Sequence, residues 1–263
     1  MWNFIKKNMR IKILMLTGPA ISSRFMYNGL AKDLEIHTVI RETPVPMKTI
    51  MKNRAKKLGW FNVAGQIAFG IFLLPILRNF SQKQKEKVIQ KLGLNDDPIP
   101  NEKLIDVASV NAPETIALLQ KINPDVVIVN GCRIISKKVL SAVDAVFINT
   151  HEGITPRYRG IHGGYWALVN RDLENCGVTV HLVDKGVDTG GILYQAVIQP
   201  EKKDNFTTYP YYQTAAGIPL MRKAIGDAAA GSLKKIEPKL ESQIWYHPTI
   251  WGYIWHFLTK GVC

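Results

Sequence analysis

Short apolar runs alternating with amphipathic stretches form the dominant pattern in this chain. Lys12-Ile13-Leu14-Met15-Leu16-Thr17-Gly18 reads as a buried strand ending in a glycine turn. The pattern from Ser22 to Leu34 predicts a helix capped by serine, and Glu35 to Ile40 predicts a second strand. A helix over Ala112 to Lys121 leads through Asn123-Pro124-Asp125 into the apolar run Val126-Val127-Ile128-Val129. Ala145-Val146-Phe147-Ile148 is a further buried strand. Strands alternating with helices predict an α/β fold with a mostly parallel central sheet and helices on both faces. After Pro200 the pattern weakens. Ile218 to Ile225 reads as a helix entered through Pro219, and the aromatic-rich tail from Ile244 to Tyr253 is expected to pack on the body or on a partner subunit.

The stretch between Pro44 and Pro100 is too long for a simple connection and must contain structure of its own. Within it, Trp60 to Phe80 has about the length of a membrane span, roughly 20 residues, but Asn62, Gln66, Pro75 and Arg78 interrupt it. The expectation is a buried or docked helix pair, with a helix lying on a membrane surface as the alternative.

Charge sharpens that picture. The chain carries a formal +13, and between Lys48 and Lys91 ten basic residues face one acid, Glu86, so +9 lies in that stretch. With 46% hydrophobic content, 263 residues suffice for one sizeable domain. Cys132, Cys176 and Cys263 are far apart, which supports neither a disulfide framework nor a zinc site and fits a reducing cytoplasm. Met1-Trp2-Asn3-Phe4-Ile5-Lys6-Lys7 has too little apolar length before its charges for an export signal.

The candidate chemistry gathers behind the Ala145–Ile148 run. If the strand stays extended through Thr150, Asn149 and His151 point to the same side. The loop Gly153 to Gly160 follows, with Pro156 for rigidity and Arg157 and Arg159 as cations, and then Gly163-Gly164. Loops at the carboxyl ends of parallel strands are where open α/β sheets bind ligands. Asp188 sits between Gly186 and Gly190-Gly191. Taken singly, His151 is a polar strand end and Asp188 a turn former.

Together these residues resemble the folate-dependent formyltransferases over Asn123 to Gln195. The resemblance is carried by Pro124-Asp125 before an apolar strand, Asn130-Gly131-Cys132-Arg133-Ile134-Ile135, Asn149-x-His151, Pro156-Arg157-Tyr158-Arg159-Gly160, Gly177 to Asp184, and Gly186-Val187-Asp188-Thr189-Gly190. It implies a Rossmann-like catalytic domain over 1–200 with a helical insertion at about 44–100, then a short C-terminal helix and tail over 201–263. It implies N10-formyltetrahydrofolate as co-substrate, no metal, and Asn149, His151 and Asp188 as the catalytic set. An amine attacks the formyl carbon, the Asn149 amide and a protonated His151 stabilise the oxygen that gains charge, and Asp188 supports His151 and accepts the amine's proton. Gly131, Cys132, Arg133, Ile134 and Ile135, with Asp184 and Val187, would hold the folate. Arg157, Tyr158, Arg159 and Gly160 would contact the substrate. His181 matches a position near the folate, and a structural role suits it equally.

Two departures narrow the family. Thr17-Gly18-Pro19-Ala20-Ile21-Ser22-Ser23 stands where glycinamide ribonucleotide enzymes bind phosphate, and Pro19 removes a donor there. The residues after Pro200 lack the short-strand spacing of the barrel in methionyl-tRNA formyltransferases. The chain looks most like the short sugar-nucleotide N-formyltransferases of surface polysaccharide synthesis, such as GDP-perosamine N-formyltransferase. That resemblance implies a cytoplasmic homodimer acting on a nucleotide-linked amino sugar, with the basic stretch serving the diphosphate or an anionic membrane. Formylation of methionyl-tRNA or glycinamide ribonucleotide is the alternative, and a non-catalytic basic RNA- or membrane-binding protein on the same fold is the alternative of another class.

Overall fold

The computed structural model describes residues 11–237 and 239–263; the Met1 to Lys7 stretch lies outside them. β1 (Ile13–Thr17) is buried along its whole length. Its side chains alternate between two cores, as the period of two in a strand requires. Ile13 and Met15 join Ile128, Ile148 and Met221 on one face, while Leu14 and Leu16 join Val127, Val129 and Phe147 on the other. Covering both faces is what makes the strand read as a continuous apolar run.

The sheet has seven strands in the order β3-β2-β1-β4-β5-β7-β8. β2 (Ile36–Glu42), β3 (Leu104–Val107), β4 (Val126–Asn130) and β5 (Val146–His151) run parallel with β1. β7 (Gly177–Leu182) and β8 (Ile192–Val197) complete the sheet antiparallel. The two-residue strand β6 (Arg159–Gly160) pairs separately with β9 (Ile244–Trp245).

Helix α1 (Ile21–Ala31) follows β1, starting ahead of the expected serine cap. No side chain caps it, because the N-cap position is Ala20, whose methyl cannot accept a hydrogen bond; the Ser23 hydroxyl turns back to the β1 turn, where it donates to the Gly18 carbonyl at 2.9 Å and meets the Thr17 hydroxyl. The segment after β2 is helical from Met47 to Lys91. α2 (Met47–Ala68) is broken at Gly59, whose φ of 77° and ψ of 156° interrupt the helical ladder. A short π-helical turn (Phe69–Leu73), α3 (Leu74–Phe80) and α4 (Gln82–Lys91) follow. Residues 47–80 form a helical stretch long and apolar enough to cross a membrane by length and composition.

The remaining helices are α5 (Pro113–Ile122), α6 (Lys137–Leu140), α7 (Gly163–Val169), α8 (Tyr209–Ala229) and α9 (Ile250–Lys260). The helix expected to begin at Pro219 begins instead at Tyr209, with Pro210 in its first turn and Pro219 inside it. Burial explains this: Ile218, Met221, Ala224 and Ile225 pack on the sheet, and about 3 kcal/mol for an interior proline is smaller than the combined burial of those side chains.

Candidate active site

β5 pairs with β4 on one side and β7 on the other, which sets Asn149 opposite His181 and His151 opposite Thr179. Asn149 and His151 lie two residues apart on one face of the strand. Asp188 comes from the turn after β7 and reaches the same point, with Oδ2 3.4 Å from His151 Nδ1 and Oδ1 3.7 Å from His181 Nε2. Its φ of 51° is left-handed, a conformation that Asp tolerates better than most residues. The Gly160 N–H donates to Asp188 Oδ2 at 3.0 Å and fixes the carboxylate.

Hydrogen-bonding logic settles both imidazoles. His151 Nε2 is 2.7 Å from the Tyr158 carbonyl, which can only accept, so Nε2 carries a proton. Nδ1 is left facing Asp188. His181 Nδ1 likewise donates to the Leu182 carbonyl at 2.8 Å, leaving Nε2 to accept from Asn149 Nδ2 at 3.0 Å. One N–H of the Asn149 amide is thereby committed to His181, and the other remains for a ligand.

Burial pushes His151 below its usual range, against the upward pull of Asp188 and of the Tyr158 carbonyl. Burial would raise Asp188, but His181 and His151, whenever they carry a second proton, and the Gly160 N–H together hold it below the usual carboxylate range. The expectation of a His151 charged at rest is therefore corrected: desolvation favours the neutral ring, and its Nδ1 beside an ionised Asp188 is a place where one arriving proton is shared.

The loop leading from His151 is held by Thr179, which is fully buried. Its hydroxyl donates to the Gly153 carbonyl at 2.7 Å and accepts from the Thr155 N–H at 3.0 Å. Gly153 has no room for a side chain, since a Cβ would sit 2.2 Å from the Tyr158 carbonyl and 2.9 Å from His151 Nε2.

Three connected hollows surround these residues. The first, about 100 Å³, is walled by Val129, Cys132, Arg133, Ile134, Ile135, Val183, Asp184 and Val187 and has Asn149, His181 and Asp188 at its floor. Its apolar walls and polar rim suit a flat heterocycle. Glu42 pins this loop, its carboxylate accepting from the Arg133 N–H at 2.6 Å and the Val110 N–H at 3.1 Å. Asp184 closes its own turn through the Gly186 N–H and the Thr189 hydroxyl. Burial, reinforced by Glu42, pushes the Cys132 thiol up to about 12, so it stays protonated.

The second hollow, about 370 Å³, holds Gly131, Asn149, His151, Gly160 and Asp188. It shares Ser22, Glu152, His162 and Thr214 with a third of about 580 Å³, which is lined by the start of α1, by Leu74, Arg78, Ser81 and Lys85 of the insertion, and by Phe25, Phe206 and Tyr211. Glu152 and His162 were not singled out from the sequence. Burial pushes the Glu152 carboxyl up to about 7, and burial beside His247 and Arg54 lowers His162 to about 3. Among the described residues no cluster of three His, Cys, Asp or Glu could hold a metal ion.

The loop residues expected to contact the substrate fare differently. Gly160 lines the catalytic hollow. Arg157 turns away to Asp172 at 3.1 Å, and the Tyr158 ring is fully buried with its hydroxyl donating to Asp172 at 2.8 Å. Arg159 donates to the Val187 carbonyl at 2.8 Å and to Ser242. These partners tie the loop to its neighbours, and the Arg157 side chain stays 45% exposed.

Comparison with known proteins places this geometry in a family. A family model described as formyl transferase matches residues 75–214, more than half of the chain. The chain is 30% identical over 152 residues to a methionyl-tRNA formyltransferase of Caldanaerobacter subterraneus, a match covering 57% of this chain and 48% of that one. It thus spans about half the length of the curated relatives it matches. Its fold is similar to a sugar N-formyltransferase from Shewanella (TM-score 0.54, 14% identity, covering 89% of this chain and 76% of that one). It is also similar to glycinamide ribonucleotide transformylase 1 from Symbiobacterium toebii (TM-score 0.55, 19% identity, covering 91% and 99%). Since the matched region contains Asn149, His151 and Asp188, the chain belongs to the formyl transferase family.

Proposed function

We propose that the protein transfers a formyl group from N10-formyltetrahydrofolate to the amino group of a nucleotide-linked amino sugar such as GDP-perosamine, in the cytoplasm, on the way to O-antigen or another bacterial surface polysaccharide. The observation that carries this reading is the continuity of the three hollows: a narrow apolar slot adjoins the catalytic hollow at Cys132, Asn149 and Asp188, and that hollow adjoins a large cationic chamber at Ser22, Glu152, His162 and Thr214.

The slot fits the pterin, with Cys132 to Ile135 on one wall and Val183, Asp184 and Val187 on the other. Bound there, the folate supplies a formyl group activated for transfer to an amine. Asn149 lines the hollow, and the N–H that it does not give to His181 stabilises the oxygen that gains charge as the amine adds. His151 and Asp188 together take up the proton that the amine releases, since Nδ1 faces an ionised carboxylate across 3.4 Å, and pass it to N10 of the folate as the formyl C–N10 bond breaks. Glu152, poised near pH 7 at the mouth of the chamber, draws in the acceptor as its ammonium ion and relieves it of its first proton.

The chamber supports a phosphate-bearing acceptor of small size. Arg78 and Lys85 face the uncapped start of α1 across it, so charged groups and backbone N–H donors converge. Phe25, Phe206 and Tyr211 offer faces for a base or a sugar, and about 580 Å³ lies in the range of small-molecule sites. The sequence relatives named methionyl-tRNA formyltransferases favour initiator tRNA as the competing acceptor.

Incubation with N10-formyltetrahydrofolate and a panel of nucleotide-linked amino sugars, glycinamide ribonucleotide and charged initiator tRNA, read by mass, separates these acceptors. The expected result is a gain of one CO on a sugar nucleotide alone. A gain only on tRNA or on glycinamide ribonucleotide contradicts the sugar assignment.

A further inference from the structure

The insertion that walls the chamber has a second side, and that side is apolar and uncovered. Of the large hydrophobic side chains exposed among the described residues, seven lie on residues 47–80 and five on α9, against five on all the rest. On α3 and the turn before it, Phe72, Ile76 and Phe80 recur every four residues on one stripe, while Leu74 and Arg78 face the chamber. On α9, Trp251, Ile254, Trp255 and Leu258 form a matching stripe.

The two stripes join. The Phe61 and Trp251 rings stack at 4.5 Å, and Gly65 lies so close to α9 that a Cβ there would meet the Trp251 ring at 2.3 Å. The inner face is fixed to the body: Phe69 is fully buried against Phe206 and Tyr253, and the Gln66 amide donates to the His247 carbonyl at 2.8 Å. With that face committed, and with the helical ladder broken at Gly59, the segment is held along the surface of the domain.

Charge identifies what covers the apolar face. No acid occurs between Glu42 and Glu86, nor after Glu241. Lys48, Lys52, Lys56 and Lys57 line the half of α2 before Gly59, and they enter no ion pair among the described residues. A second copy related by a two-fold axis would set this basic rim against itself. An anionic lipid surface complements both parts, because apolar stripes enter the headgroup boundary while lysines meet acidic phosphates.

We infer that the outer face of residues 47–80 together with α9 is a docking surface for an anionic phospholipid bilayer, on which the protein lies peripherally with one wall of its large chamber against the lipid. This inference stands on the surface itself and is independent of the acceptor.

Sedimentation with vesicles tests it on the full chain. Vesicles of phosphatidylglycerol and phosphatidylcholine are expected to carry the protein down at low ionic strength, and phosphatidylcholine alone to leave it in solution. The double variant Phe72→Gln/Trp255→Gln is expected to weaken binding by roughly 100-fold. Should that variant misfold by circular dichroism, Lys56→Glu/Lys57→Glu, at exposed positions, is expected to weaken it by at least about tenfold. The inference is overturned if the anionic vesicles leave the protein in the supernatant. It is equally overturned if the folded variants bind like the wild type, or if sedimentation velocity shows a dimer that the apolar substitutions dissociate while no vesicle binding occurs.

Discussion

The Asn149 amide donates to His181 Nε2 at 3.0 Å, and His181 in turn donates to the Leu182 carbonyl, so the orientation of the amide on β5 is set by a ring on β7. His181 is thus a positioning residue. His181→Ala is expected to lower kcat by roughly 100-fold through misplacement of the amide, with the KM for folate nearly unchanged. His181→Gln, whose carbonyl can accept the same hydrogen bond, is expected to restore much of the loss. A kcat that His181→Gln does not restore would mean that the ring is needed for packing alone.

Glu152 gives the site a pH dependence with a defined sign. Burial raises its carboxyl from an ordinary 4.5 to about 7, so between those values the folded protein keeps a proton that the unfolded chain has released. Stability from this group is therefore full below about 4.5 and declines as pH rises to about 7, by no more than about 3 kcal/mol. His162, lowered from 6.5 to about 3, acts oppositely, with stability lost as pH falls through that window. The clean measurement is the difference in denaturation free energy between the wild type and Glu152→Gln. The variant is expected to gain relative stability above pH 7 and to lose the rise in kcat/KM with pH that ionisation of Glu152 confers. A difference independent of pH would remove Glu152 from both roles.

Tyr158 separates a structural role for the loop from contact with the substrate. Its hydroxyl donates to Asp172 at 2.8 Å and its ring is buried, while its carbonyl holds His151. Tyr158→Phe is expected to cost about 1 kcal/mol of stability through the lost hydrogen bond and to leave the acceptor KM within error. Thermal unfolding and steady-state kinetics on the same preparation check both. A large rise in acceptor KM would restore the residue to substrate binding.

Much of this architecture could be read from the sequence because local patterning and burial agree. The apolar runs of β1, β4 and β5 became central strands of a mostly parallel sheet, and Asn149 and His151 share a face because a strand repeats every two residues. The start of α8 is not legible locally, because Pro219 is a helix breaker in sequence whose cost is outweighed by long-range packing. Glu152 and His162 carry no signal in the sequence because their chemistry comes from desolvation, and only the folded chain shows that the insertion closes a chamber beside them. A cation in a loop has no fixed direction in sequence, and only the folded chain shows Arg157 beside Asp172 and Arg159 beside the Val187 carbonyl. The Gly59 break likewise depends on a backbone conformation that a glycine permits without requiring.

In the proposed mechanism Asn149, His151 and Asp188 act on an amine in the hollow between slot and chamber. It is tested most directly by single-turnover transfer of an isotopically labelled formyl group from N10-formyltetrahydrofolate to the acceptor, comparing the wild type with Asn149→Ala and Asp188→Asn. Transfer is expected to slow on the order of 100-fold or more in each variant, with folate affinity and circular dichroism close to those of the wild type. Transfer at the wild-type rate in either folded variant would contradict the account.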